Sequence, residues 1–188
     1  MMKEPLHIIN QLSPTDALAI LRALADSDNQ LAARIAEMAT ARLRGVAPEE
    51  IAAALYDELN GLDVEEVWYR AGRTRYGYVE PHEAAEQMIE ETIAPFLEEL
   101  KKYQALGMNA EANRMCMGLL LGLHRFGRES TSEFKDWASD APDAFAEAAF
   151  DAWKAGAPSR VDVEAVRAFV ESEVGLWRVR RLFTSGPS

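Results

Sequence analysis

The amino-acid sequence predicts an all-α protein, and three observations indicate this class. The chain contains 31 alanines but only 23 valines, isoleucines and threonines together. Alanine is the strongest helix former, whereas branched residues are enriched in strands. Apolar residues recur at helical spacing along most of the 188 residues, and strict alternation of polar and apolar residues is rare. We expect about eight helices paired as antiparallel hairpins, in an α-solenoid-like arrangement or a multi-helix bundle.

The first four predicted helices have recognisable start and stop signals. The first begins at Ser13, a serine cap followed by a proline in the first turn. The second ends at Gly45, as helices often do at glycine. Pro48 opens the third helix, which stops at Asn60, and a shorter helix follows from Asp63.

The rest of the chain predicts longer helices after one non-helical stretch, residues 71–80. Pro95 lies inside the longest of these helices and should kink it, because proline removes a hydrogen bond and clashes with the preceding turn. Asn109 is expected to cap the helix that follows. The helices are predicted over residues 81–106, 110–126, from 142 onward and 163–182, with a loop at 127–132.

Three of the predicted helices begin with prolines that are almost evenly spaced. Pro14, Pro48 and Pro81 are 34 and 33 residues apart. A period in this range is typical of stacked helix–turn–helix repeats, whose single units cannot bury their apolar face alone. The period then ends, because position 115 lies within a predicted helix. We expect one helical domain over residues 1–184 and a disordered tail at 185–188.

The predicted hairpin at 96–116 resembles a tetratricopeptide repeat. Tyr103, Gly107 and Ala112 have the mutual spacing of the tyrosine, glycine and alanine of that repeat. Cys116 stands where a large apolar residue is usual. The resemblance implies a helical-repeat module of the tetratricopeptide or HEAT kind.

A longer resemblance covers about two thirds of the chain. It rests on residues 62–81, 117–123 and 132–138, which are similar to the helical segment of uncharacterised bacterial and archaeal proteins. Some of those proteins carry a SWIM-type zinc finger. The resemblance implies a helical interaction module without catalytic residues. One cysteine cannot supply the zinc ligands of that finger, so no nucleic-acid role follows from it.

Composition and charge exclude several classes of function. The 31 acidic and 20 basic residues give a formal net charge of −11, whereas duplex binding needs a cationic surface. The single cysteine excludes an intramolecular disulfide and a multi-cysteine zinc site. No apolar run approaches the roughly 20 residues of a membrane span, and the first residues lack the apolar core of a signal peptide. We expect a cytoplasmic protein with no cofactor, no membrane contact and no nucleic-acid partner.

The segment 68–78 combines aromatic and arginine side chains, which dominate binding hot spots. Its arginines form a local cationic island in an acidic chain, suited to a carboxylate, a phosphate or an acidic partner segment. In the structural alternative, the tyrosines pack beneath the longest helix and the arginines pair with Glu65, Glu66 or Glu80. The predicted partner-binding residues are Trp68, Arg70, Arg73, Arg75, Tyr76 and Tyr78.

A second candidate is the acidic face of the longest helix. His82, Glu86 and Glu90 fall on one stripe with Glu91 beside it, and such ligands can hold a metal in a helical bundle. The stripe runs opposite the apolar residues of the helix, which favours a solvated surface. The alternative function that it leaves open is a metal-dependent all-α hydrolase.

Two further features concern helix packing and the end of the chain. Gly118 and Gly122 are four residues apart and permit a close helix contact, and Cys116 beside them is expected to be a small core residue. The basic, aromatic segment 176–183 suits nucleic acid, a membrane surface or an acidic protein, but the helix dipole also stabilises cations at a helix C-terminus without a ligand.

These patterns favour a non-catalytic protein–protein interaction module. A partner segment would lie along a surface built by successive hairpins, anchored by the aromatic side chains of segment 68–78 and oriented by its arginines. The identity of the partner stays open, and self-association would use the same surfaces.

Overall fold

Most of the described residues are helical, which confirms the predicted all-α class. A computed structural model of the chain describes residues 4–45, 47–74, 77–175, 178 and 181–183. Within these residues ten helices have defined bounds, and a further helical segment includes Arg178 and residues 181–183. The predicted count of about eight was too low, because helices of four to six residues are too short to show helical spacing.

In chain order the elements are α1 (Glu4–Ile9), α2 (Pro14–Ser27), α3 (Asn29–Leu43), α4 (Pro48–Asn60), α5 (Val64–Arg70), β1 (Gly72–Thr74), β2 (Gly77–Val79), α6 (Pro81–Ala105), α7 (Asn109–Glu129), α8 (Phe134–Trp137), α9 (Ala141–Ala155) and α10 (Arg160–Glu173).

The helix starts predicted from prolines and caps are confirmed. Pro14, Pro48 and Pro81 each lie in the first turn of a helix, where the missing N–H has no intrahelical partner to lose. The side chains of Ser13 and Asp63 accept hydrogen bonds from the first-turn backbones of α2 and α5. These local signals therefore place the N-termini of four helices.

Two segments predicted as loops are regular structure. Residues 72–79 contain the strands β1 and β2, which pair antiparallel with Arg73 opposite Tyr78. The chain after Phe126 stays helical, so α7 continues through Gly127. Strands of three residues are too short to show an alternating pattern, and one glycine does not outweigh the packing of the whole helix.

Other helix ends differ from the expected positions. Asn109 is the first residue of α7 rather than its cap, whereas α6 has Pro95 in its interior, as predicted. The helix predicted over 163–182 begins earlier, at Arg160, and α10 ends before Gly175. Gly175 has a φ of +113°, in the left-handed region that favours glycine, and this conformation ends the helix.

The contacts within the chain define two compact units, Met1–Gly45 and Val46–Ser188. The single helical domain over 1–184 stays a prediction. In the first unit α2 and α3 contact each other, yet no residue of either helix is buried. The second unit contains the buried core. The predicted tail at 185–188 lies outside the described residues.

The core of the second unit is organised around α7. This helix contacts α4, α6, α9 and α10. Its residues Leu119, Leu123 and Phe126 are fully buried, as are Leu55 of α4 and, nearly so, Trp153 of α9. The central position of α7 explains why residues 115–123 in its middle are apolar on every side.

The hairpin of α6 and α7 turns at Gly107. Its φ of +68° lies in the left-handed region, and its N–H donates to the carbonyl of Gln104 at 3.0 Å. The N–H of Met108 donates to the carbonyl of Tyr103 at 2.9 Å, which satisfies the last turn of α6. Tyr103 and Ala112, which carry the tetratricopeptide resemblance with Gly107, are buried.

Two glycines let α4 lie very close to α7. A Cβ atom on Gly118 would lie 2.5 Å from the Cβ of Ile51 and 2.8 Å from the carbonyl oxygen of Pro48. A Cβ atom on Gly122 would lie 3.0 Å from the carbonyl oxygen of Ala52. The Gly-x-x-x-Gly spacing permits such a close contact, and the structure shows that the helix in contact is α4.

A chain of polar groups joins α7 to α9 and α10. The indole N–H of Trp153 donates to the amide oxygen of Asn113 at 3.0 Å, and the amide nitrogen of Asn113 donates to Asp162. Asp162 also accepts from the hydroxyl and the N–H of Ser159 at 2.6 and 3.0 Å, in the capping box of α10. The hydrogen bond from the Ser159 side chain is the largest cause that lowers the pKa of Asp162, and that from Asn113 follows.

We expect Gly118→Ala to destabilise the second unit by about 1–3 kcal/mol, the usual range for overpacking. The new Cβ would push α4 away from α7, and the better helix propensity of alanine, about 1 kcal/mol, does not prevent this displacement. Urea unfolding followed by tryptophan fluorescence measures the change, because all four tryptophans lie in this unit. Gly127→Ala is the matched control, since its Cβ would meet Pro142 at an ordinary 3.4 Å. Equal losses for both substitutions would contradict the close approach.

Asp162→Asn should make the stability of the second unit less dependent on pH in acid. Because folding lowers the pKa of Asp162, the carboxylate stabilises the folded state above its unfolded pKa, and this contribution disappears as the pH falls through the folded value. We expect the variant to be less stable than wild type at pH 7, by about the 1 kcal/mol of a helix-cap interaction. The difference in the free energy of unfolding between variant and wild type should become smaller below about pH 4. Urea unfolding at a series of pH values measures this difference. A difference in free energy of unfolding that does not change with pH would contradict the expectation.

Candidate functional site

The predicted site begins at α5, which is anchored in the core by one residue. Val67 is fully buried, and the N–H of Glu65 donates to the Asp63 carboxylate at 2.8 Å to cap the helix. Trp68 and Tyr69 follow the buried valine and are 56% and 87% exposed. Aromatic side chains of this size are usually well buried, so the exposure of these two makes them candidate binding residues.

Trp68 is held in place by a second tryptophan. Its ring meets that of Trp137 in α8 edge-on, with centroids 5.0 Å apart and planes at 79°. This is one of the favoured arrangements of two aromatic rings. The contact orients the indole of Trp68 and leaves more than half of the side chain exposed.

Arg70 is engaged within the protein, so the structural alternative applies to this residue. Its guanidinium donates to Glu66 of the same helix at 2.7 Å and to Glu91 of α6 at 2.6 Å. These hydrogen bonds, that with Glu91 first, raise the pKa of Arg70. Arg70 therefore ties α5 to α6.

The hairpin places Arg73 and Tyr78 side by side. They are directly opposite in the antiparallel register, so their side chains share one face with Cβ atoms about 5 Å apart. Arg73 is exposed and Tyr78 is 64% exposed, which excludes packing of Tyr78 beneath the longest helix. Arg75 and Tyr76, two further residues of the predicted site, lie outside the described residues.

We refer to Trp68, Tyr69, Arg73 and Tyr78 as the aromatic surface. Three of these residues were predicted as partner-binding, and Tyr69 was not. The available signal was its position two residues after Val67, because residues two apart on a helix point to nearly opposite sides. A buried Val67 thus implies an exposed Tyr69.

A groove of about 440 Å³ lies between α4, α6 and α7, and it contains none of the predicted site residues. Its walls are mainly apolar, and Glu50, Glu58 and Glu99 also line it. The apolar lining consists of Ile51, Ala54, Pro95, Phe96, Tyr103 and Met115. The groove depends on the packing of three helices, which local sequence patterns do not show. Its chemistry suits an apolar group next to a positive charge.

The acidic face of α6 does not bring metal ligands together. His82, Glu86 and Glu90 are exposed, and Glu91 pairs with the arginine of α5. Within the part of the chain that the structure describes, no group of three histidine, cysteine, aspartate or glutamate side chains has an arrangement that could hold a metal ion. Burial raises the pKa of the Cys116 thiol far above its usual value, so this cysteine stays protonated and unreactive.

The basic residues described near the C-terminus bond to α9. Arg178 is buried and donates to Asp143, and Arg181 donates to Glu147 and, at 3.3 Å, to Asp143. The other basic residue of segment 176–183 lies outside the described residues. Ion pairs with α9 thus account for these two arginines without an external partner.

Comparison with protein-family models, curated proteins and solved structures finds no match to this chain. The resemblances to helical repeats and to the helical segment of SWIM-finger proteins therefore stay predictions. Over the described ranges, none of the helices has the length and apolar character needed to cross a membrane.

Arg70→Met should lower the free energy of unfolding by less than about 1 kcal/mol, because the ion pairs that it removes are solvent-exposed. The aliphatic part of the side chain is kept, so packing changes little. We expect the loss to shrink at high ionic strength, where surface charges are screened. Urea unfolding at low and high salt measures it, with Glu91→Gln as the partner variant in a double-mutant cycle. A much larger loss that salt does not change would contradict the surface-pair interpretation.

Proposed function

We propose that the protein is a non-catalytic protein–protein interaction module and that the aromatic surface is its docking site. The observation that carries the proposal is the exposure of three large aromatic side chains, Trp68, Tyr69 and Tyr78, the last of which lies opposite Arg73 in the hairpin. Aromatic residues and arginine supply most of the binding energy at protein interfaces, because they desolvate large areas and form directional contacts.

The helix α5, which carries Trp68 and Tyr69 of the aromatic surface, is held in place by three contacts. Val67 anchors α5 in the core, Arg70 ties it to α6, and Trp137 packs against Trp68. A surface that is already ordered loses little conformational entropy when a partner binds. This preorganisation favours recognition over a purely structural role for the exposed rings.

The composition of the surface indicates what kind of partner segment it binds. Arg73 lies opposite Tyr78 in the hairpin, and its guanidinium can form a forked pair of hydrogen bonds with one carboxylate. The net charge of −11 repels broadly acidic surfaces. We therefore infer an apolar or aromatic partner segment that carries a single acidic side chain, rather than a polyanion.

The test compares partner capture by wild type with capture by the triple variant Tyr69→Ala, Arg73→Ala, Tyr78→Ala. Trp68 is left unchanged because it packs on Trp137. A protein captured from source-cell lysate is identified, purified and titrated against both forms by calorimetry. Hot-spot residues each contribute about 1–2 kcal/mol or more, so we expect the triple variant to bind at least ~100-fold more weakly.

The matched control is the triple variant Leu106→Ala, Val161→Ala, Arg167→Ala, which removes two exposed apolar side chains and one exposed arginine elsewhere in the second unit. Its affinity should equal that of wild type, and circular dichroism should show both variants folded. Equal binding by the Tyr69, Arg73 and Tyr78 variant would show that the aromatic surface is not the docking site.

A further inference from the structure

The first unit exposes apolar side chains that a stable helical hairpin normally covers. No residue of α2 or α3 is buried. Six large apolar side chains of these two helices are 38–64% exposed: Leu18, Ile20, Leu21, Leu24, Leu31 and Met38. Monomeric proteins rarely leave so large an apolar surface in water.

The exposed residues form one continuous face on each helix. In α2, Leu18, Leu21 and Leu24 follow one another at intervals of three residues, and the charged side chains of the helix lie outside this face. In α3, Leu31 and Met38 are two turns apart with half-buried Ile35 between them. The hairpin thus has two apolar faces of the kind that helix bundles pack together.

A unit of this size requires support from outside itself. Its 45 residues contain no cysteine, and its described residues contain no group that could hold a metal ion. Units of about 40 residues are usually stabilised by disulfides, by metals or by oligomerisation. Oligomerisation is the third of these sources.

The charge of the first unit indicates what associates with it. Residues 1–45 contain five acidic and five basic side chains and have a net charge of zero, so the whole net charge of −11 belongs to residues 46–188. Two neutral hairpins approach each other without electrostatic repulsion. The charged residues of α2 and α3 are three acidic and three basic, whereas helices that lie on a membrane surface are rich in lysine and arginine on their polar face.

We propose that two copies of the chain pair through the exposed faces of α2 and α3 to form a four-helix bundle. The two helices have 14 and 15 residues, so their lengths, about 21 and 22 Å, match in an antiparallel bundle. A two-fold axis makes the same face of each copy the partner of the other. This pairing is independent of the aromatic surface.

The test measures the mass of the full chain by analytical ultracentrifugation from low to high micromolar concentration. Wild type should approach twice 20.9 kDa, and the variant Leu21→Arg, Leu24→Arg should remain a monomer, with pairing at least ~100-fold weaker because two charges per copy would be buried. The control variant Ala19→Arg, Ala23→Arg adds the same charges to the opposite side of α2 and should still dimerise. A monomeric wild type, or equal behaviour of the two variants, would overturn the proposal.

A second measurement uses wild type alone and is unaffected by any misfolding of the variants. The first unit has no tryptophan, so tryptophan fluorescence monitors the second unit and far-ultraviolet circular dichroism monitors both. If α2 and α3 are stabilised by pairing, heating should show an early loss of helix whose midpoint rises with protein concentration, while the fluorescence midpoint stays constant. A concentration-independent helix signal with a monomeric mass, or a monomer that binds phosphatidylserine vesicles, would overturn the proposal.

Discussion

The close approach of α4 to α7 at Gly118 and Gly122 is the contact on which the second unit depends. The absence of side chains at these positions lets the backbone of α4 reach α7, and Ala52 and Leu55 become fully buried there. The same helix forms one wall of the groove and leads through a short connection into α5. A change in the distance between α4 and α7 would therefore displace the helix that begins the aromatic surface. The close packing of α4 on α7 in the core therefore helps to position the proposed binding site.

The other neighbours of α7 are selected by directional polar contacts. Asn113 accepts a hydrogen bond from Trp153 of α9 and donates one to Asp162 of α10. An unmade hydrogen bond in a buried site costs more than a made one contributes. A shifted packing of α9 would leave the indole N–H of Trp153 without its acceptor. The glycines of α7 fix its contact with α4, and hydrogen bonds fix its contacts with α9 and α10. These contacts together select one arrangement of helices around α7.

The parts of this structure that the sequence predicts are those whose signals are local. Prolines and capping side chains lie within a turn of the helix start, which is why the N-termini of α2, α4, α5 and α6 were predicted correctly. Arg70 shows the limit of local signals. Glu66, one turn away on the same helix, is among the ion-pair partners that the sequence suggests for it, whereas Glu91 lies on another helix and is not. The pairing of Arg73 with Tyr78 required a hairpin whose strands of three residues have no alternating pattern. Exposure at the site, like the groove, follows from tertiary packing.

The separation of charge between the two units suits a protein that makes two kinds of contact. In the proposed dimer the neutral first units would pair without repulsion, while the acidic second units would repel each other. Pairing would then not use the aromatic surface, and each dimer would carry two copies of it. On a partner with repeated docking segments, two linked sites raise the apparent affinity by about 10²–10⁴ without any new contact. Loss of pairing should therefore weaken binding to such a partner and leave binding to a single isolated segment unchanged, because only the aromatic surface contacts that segment.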